Sequence, residues 1–169
     1  MEQQLSIISL TLLRKRIKRE IDILIKENIC IEDDIEIKEK LETNYSNIKD
    51  YIVKFKNLKD NKYYKFIVTN HYPFKPPKLY INDKSISFYH QNTNLEFMKN
   101  LKKYTGIQCF CCETILCSNN WGPQFTIKNI LDDINKYRDA RREVIVRIIV
   151  DIIKRKYLID DTNIIEWLY

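Results

Sequence analysis

Three of the chain's four prolines fall within six residues, Tyr72-Pro73-Phe74-Lys75-Pro76-Pro77, and no other feature constrains the fold as strongly. Proline has no amide hydrogen to give to a ladder and its ring fixes φ, so this stretch must be a turn or a sheet edge that ends one strand and starts the next. Strand-like alternation lies on both sides of it: Ile35 and Ile37, then Tyr51, Val53 and Phe55, then Tyr64, Phe66 and Val68, and lastly Leu79 and Ile81. The pattern predicts a four-stranded antiparallel meander, with Lys59-Asp60-Asn61-Lys62 closing its middle hairpin. Between Ile37 and Asp50 no clear periodicity stands out.

Helical periodicity flanks the strands. Leu10, Leu13, Ile17, Ile21 and Leu24 share one face, which predicts a helix from Ser9 to about Asn28 with Arg14, Lys15, Lys18 and Glu20 turned outward. Ile127, Ile130, Leu131 and Ile134 predict a second helix from about Phe125 to Tyr137, facing the sheet. A third is expected over Ala140 to Tyr157, apolar around most of its circumference, with Glu143, Arg147, Asp151 and Arg155 as its polar stripe. Such a helix needs cover, either from the domain body with Trp167, Leu168 and Tyr169 folded back or from a second subunit. The polar run from Asn92 to Ile107 is read as an enlarged loop. The expected class is α+β, one domain over residues 1–169, with a core at 8–138 and a helical extension at 139–169.

Composition narrows the function classes. At 169 residues, 44% hydrophobic and 31% charged, the chain suits a single domain with a core of its own. Two glycines argue against a phosphate-cradling glycine loop. A net charge of +6 is too modest to imply nucleic acid as a partner. The apolar run Leu5 to Leu13 has no basic residues before it and no cleavage site after it, so no signal peptide is expected. No run approaches membrane-spanning length, so no membrane partner is expected. Of five cysteines, four crowd into Cys109, Cys111, Cys112 and Cys117, a poor disulfide framework. A reducing compartment follows, the cytoplasm and with it the nucleus.

After the proline turn come His90-Gln91-Asn92, the cysteine group with Cys112-Glu113-Thr114-Ile115-Leu116, and Trp121-Gly122-Pro123 ahead of a helix. In this order and spacing they resemble the ubiquitin-conjugating enzyme family, whose pattern is Tyr-Pro-Phe-x-x-Pro-Pro, His-Pro-Asn, a nucleophilic Cys before Leu-Asp-Ile-Leu, and Trp-Ser-Pro. The resemblance covers residues 8–138. Three departures stand in it: Gln91 for the central proline, a longer segment between Asn92 and Cys112, and Gly122 for the usual serine. The resemblance implies a UBC-like fold and a thioester-carrying transferase. Its partners would be ubiquitin, the ATP-dependent activating enzyme, a ubiquitin ligase and substrate proteins, with no cofactor and no metal.

Register with the Ile115-Leu116 pair assigns the acceptor role to Cys112, with Cys111 as the rival that strand alternation would point the other way. Thiolate suits the chemistry because it is strongly nucleophilic and a good leaving group. By the resemblance, Asn92 donates a hydrogen bond to the oxyanion formed when lysine attacks, and His90 is a structural hydrogen-bonding residue rather than a general base. Arg14, Lys15 and Lys18 would meet the activating enzyme, and Phe74 and Pro123 would contact partners such as ligases. Simpler alternatives are a solvated helix face for the basic residues and a core position for Phe74. A competing chemical reading is zinc on Cys109, Cys112, Cys117 and His90, set against the observation that structural zinc sites generally pair two knuckles. A binding module that has lost its chemistry, and an obligate assembly built on the apolar last helix, are the other function classes considered.

Overall fold

A computed structural model describes residues 2–41, 49–86 and 95–157. The chain opens with α1 (Glu2–Lys26), passes a 3-10 turn at Glu32–Asp34, and enters a five-stranded antiparallel sheet in sequential order. Its strands are β1 (Glu36–Leu41), β2 (Lys49–Asn57), β3 (Lys62–Val68), β4 (Lys78–Ile81) and β5 (Lys84–Ser85). Among the described residues there follow α2 (Leu95–Thr105), α3 (Phe110–Glu113) and α4 (Ile127–Tyr157). Among the described residues, no helix is long and apolar enough to cross a membrane.

The predicted alternation sets the sheet's register. Tyr51 pairs with Val68, Val53 with Phe66 and Phe55 with Tyr64, while Tyr64 and Phe66 pair onward with Ile81 and Leu79. All of these are buried, so one face of the sheet is a continuous apolar layer. Phe55 stacks on both Tyr64 and Phe66, with ring centroids 5.8 and 5.9 Å apart. Onto that layer α1 lays Leu13, Ile17, Ile21 and Leu24, and α4 lays Ile127, Ile130, Leu131 and Ile134. Each fully buried side chain of this size contributes about 1.5–3 kcal/mol.

Several expectations are corrected. The meander has a fifth, two-residue strand, because Asn82 and Asp83 both adopt positive φ (48° and 61°) and turn the chain back on itself. Asn and Asp tolerate that region better than other non-glycine residues. Helix α1 begins at Glu2 rather than Ser9, since nothing between them breaks a helix. The two expected carboxy-terminal helices are one, because Arg138-Asp139-Ala140 holds neither Gly nor Pro and the turn is never interrupted. The expected loop after Asn92 contains helix α2, ended by Gly106 at φ 76°, whose amide donates to the Lys102 carbonyl.

Helix α2 explains part of what covers α4. Leu101, Ile107, Phe110, Tyr137 and Val144 form a second buried cluster, with Phe97, Met98, Tyr104, Ala140 and Ile148 packed against it. The Tyr104 hydroxyl donates to Asp151 at 2.6 Å, fastening the two helices further along. The opposite face of α4 still exposes Ile145, Val146, Ile149, Ile152 and Ile153. The expected fold-back of Trp167, Leu168 and Tyr169 lies outside the described residues.

Candidate active site

The cysteine segment is positioned by three anchors. Phe110 plugs the second cluster and meets Tyr137 edge-on at 5.2 Å, which fixes the start of α3. Beyond α3, the buried Thr114 donates its hydroxyl to Asp133 of α4 at 2.7 Å, and the Ile115 amide donates to the same carboxylate oxygen at 3.1 Å. The Asn120 side-chain amide then donates to the carbonyls of Cys112 (2.6 Å) and Thr114 (3.1 Å). Ile115 and Leu116 dock on the main core, so the segment is pinned at both ends with Cys111 and Cys112 exposed between.

Because α3 is helical, strand alternation does not separate Cys111 from Cys112. Their sulfurs lie 3.7 Å apart, and Cys109 Sγ lies 2.7 Å from Cys111 Sγ. The Cys111 thiol, hydrogen-bonded to the Cys109 sulfur, is pushed up to about 12, while the same bond holds Cys109 below the usual thiol range. Cys112 is raised, chiefly by its hydrogen bond with Cys109. Contact between the sulfurs therefore shifts all three thiols, a consequence that spacing in sequence does not reveal.

The proline turn and the Trp121 segment meet each other. The Trp121 indole donates to the Pro73 carbonyl at 2.7 Å, and its ring lies 6.0 Å from Tyr72 and 5.7 Å from Phe125. Tyr72 is buried, and its hydroxyl lies 2.7 Å from both carboxylate oxygens of Glu20. Glu20 also accepts from Arg16 Nε (2.8 Å) and from the Ile127 amide at the start of α4 (2.9 Å). Arg16 completes the bracket by donating to the carbonyls of Pro123 (2.8 Å) and Phe125 (3.0 Å). The outward placement expected for Glu20 is thus reversed: three donors, the Tyr72 hydroxyl, Arg16 Nε and the Ile127 amide, hold it inside.

Of the residues singled out in the sequence, Cys112 is exposed at the end of α3, and Arg14, Lys15 and Lys18 are exposed on α1. Arg14 and Lys18 border an open groove of about 460 Å³ floored by Ile17, Ile21 and Tyr51. Phe74 is 78% exposed, which removes its core-filling alternative. Pro123 is exposed, two residues beyond the Trp121 bridge. His90, Gln91 and Asn92 lie outside the described residues. The zinc set weighed from spacing is not the one assembled: the sulfurs of Cys109, Cys111 and Cys112 lie within 4.8 Å of one another, and Cys117 is not among them.

Sequence reasoning missed Glu20, Asn120 and Asp133. Glu20 had a legible signal, since it stands three residues after Ile17 and four before Leu24, on the buried face. Asp133 likewise lies three residues after Ile130 and four before Tyr137. Asn120 had no comparable signal in its polar run Ser118-Asn119-Asn120. Comparison with known proteins finds no matching family model, no matching curated protein and no matching solved structure.

Proposed function

We propose that this chain is a ubiquitin-conjugating enzyme that accepts ubiquitin as a thioester on Cys112 and passes it to a substrate lysine. The observation that supports the reading is the hydrogen bond from Trp121 to Pro73, which joins two parts of the motif 48 residues apart, while Asn120, next to Trp121, bonds the carbonyl of the exposed Cys112. In the first step the Cys112 thiolate attacks the ubiquitin thioester on the activating enzyme, and that enzyme's thiolate leaves. In the second, a lysine amine attacks the new thioester, negative charge builds on its oxygen, Cys112 leaves as thiolate, and the amine gives up a proton.

Asn92 is the oxyanion donor in this reading, with His90 supporting the segment around it. Asn120 is a positioning residue, because both of its amide hydrogens are already given to carbonyls. Arg14, Lys15 and Lys18 are the surface for the activating enzyme, and Phe74 with Pro123 the surface for a ligase. The chemistry needs a reduced thiol, hence a reducing compartment such as the cytoplasm. Gln91 and the longer segment between Asn92 and Cys112 favour a second reading, a UBC-like module that binds ubiquitin or a partner without chemistry.

A charging reaction with activating enzyme, ATP and ubiquitin, read on a non-reducing gel, separates the two. Cys112→Ala should remove the thiol-sensitive adduct, and Cys112→Ser should give a slower one that survives reducing agent, as an oxyester does. Cys109→Ala, Cys111→Ala and Cys117→Ala should each retain it. An adduct lost only in Cys111→Ala would move the acceptor by one residue, and none with wild type would leave the binding module.

A further inference from the structure

The sulfurs of Cys109, Cys111 and Cys112 form a triangle with sides of 2.7 and 3.7 Å along the chain and no side above 4.8 Å. Three thiolates about 2.3 Å from one metal ion stand roughly 3.8–4.0 Å from each other, so the first side must open by about 1 Å and the third close by about 1 Å at most. Cys111 is exposed, so its side chain has room to move. The backbone beneath is fixed by Phe110, Thr114 and Asn120, which holds the three Cα positions while the thiols adjust.

The donor set is sulfur alone. Among the described residues, no His or carboxylate joins the group, and Cys117 stands outside it. Thiolate donors favour soft d10 ions, and three thiolates with no fourth protein ligand among the described residues suit a three-coordinate ion better than the tetrahedral preference of structural zinc. We infer that Cys109, Cys111 and Cys112 form a three-thiolate site for a soft monovalent d10 cation, with the cuprous ion as the fitting member. Binding replaces the thiol protons with the metal, releasing them to solvent, and leaves copper in its cuprous state throughout. Because Cys112 is a ligand, occupancy also closes the acceptor thiol to ubiquitin; that consequence rests on the proposed function, whereas binding does not.

The test is an anaerobic titration of the reduced full-length chain with cuprous ion against a chromophoric cuprous chelator. Wild type should withdraw one equivalent. Cys109→Ser and Cys111→Ser, each checked for an unchanged far-UV circular dichroism spectrum, should bind about a hundredfold or more weaker, since losing a ligand costs at least as much as losing the groups that orient one. Cys30→Ser and Cys117→Ser should match wild type. No retained copper, undiminished binding in the Cys109 and Cys111 variants, or zinc displacing copper at equal concentration would each overturn the site. Charging assayed in parallel should fail for copper-loaded protein and succeed for metal-free protein. If metal-free protein does not charge, the proposed function falls and the copper titration still decides the site.

Discussion

A single carboxylate at Glu20 holds three parts of the chain together, because Tyr72, Arg16 and the first amide of α4 all reach it. Its charge also faces the positive end of the α4 dipole. Glu20→Ala leaves these donors without an acceptor and should cost about 3 kcal/mol, read as a lower urea midpoint with unchanged slope. Glu20→Gln keeps an acceptor oxygen and should cost less. Cys30 gives a pH signature: burial first and the Asp34 carboxylate second push its thiol from 9.0 up to about 11. A folded-state pKa above the unfolded one means stability that is complete below about pH 9 and lost as pH rises through 11. The stability difference between wild type and Cys30→Ala, measured by denaturant across that range, should therefore narrow as pH rises.

At the scale of elements, α3 is only four residues long and owes its position to its neighbours. Asp133 and Asn120 hold the turn after it, so both act on where Cys112 stands rather than on the reacting atoms. On the proposed function, Asn120→Ala should slow charging and discharge together. Asn92→Ala should leave charging intact and slow only discharge, by about a hundredfold if oxyanion-type losses apply. Single-turnover assays of the two steps check the split. Equal effects of Asn92→Ala on both steps would make Asn92 structural as well.

Among the described residues the molecule has two apolar clusters joined through α4. The larger unites α1, the sheet and the start of α4; the smaller unites α2, Phe110 and the middle of α4. A small cluster of five buried residues stabilises less than one of nineteen, so it should open by itself before the molecule unfolds. Native-state hydrogen exchange should find α2 amides opening at a lower free energy than those of β2 and β3. Leu101→Ala, which empties a fully buried position at a cost of about 2–5 kcal/mol, should lower α2 protection while leaving the sheet's protection high.

The helix, the sheet's register and the turn between its strands were legible because each follows from a local period or from proline's missing hydrogen. Tyr51, Val53, Phe55, Tyr64 and Phe66 announce the buried face in any context, and Leu13, Ile17, Ile21 and Leu24 announce theirs. Helix α2 was hidden by its lysines, although Phe97, Leu101 and Tyr104 keep helical spacing, because a helix with one partly buried face looks polar when read as composition. The thiol triangle was decided only in three dimensions. Spacing pairs Cys109 with Cys112 and alternation separates Cys111, but a short helix pinned by Phe110 and Asp133 brings all three together. The sequence by itself determined which residues are apolar and where the chain must turn; tertiary structure decided which polar groups meet, since hydrogen bonds and thiol contacts depend on distances between segments that no local period encodes.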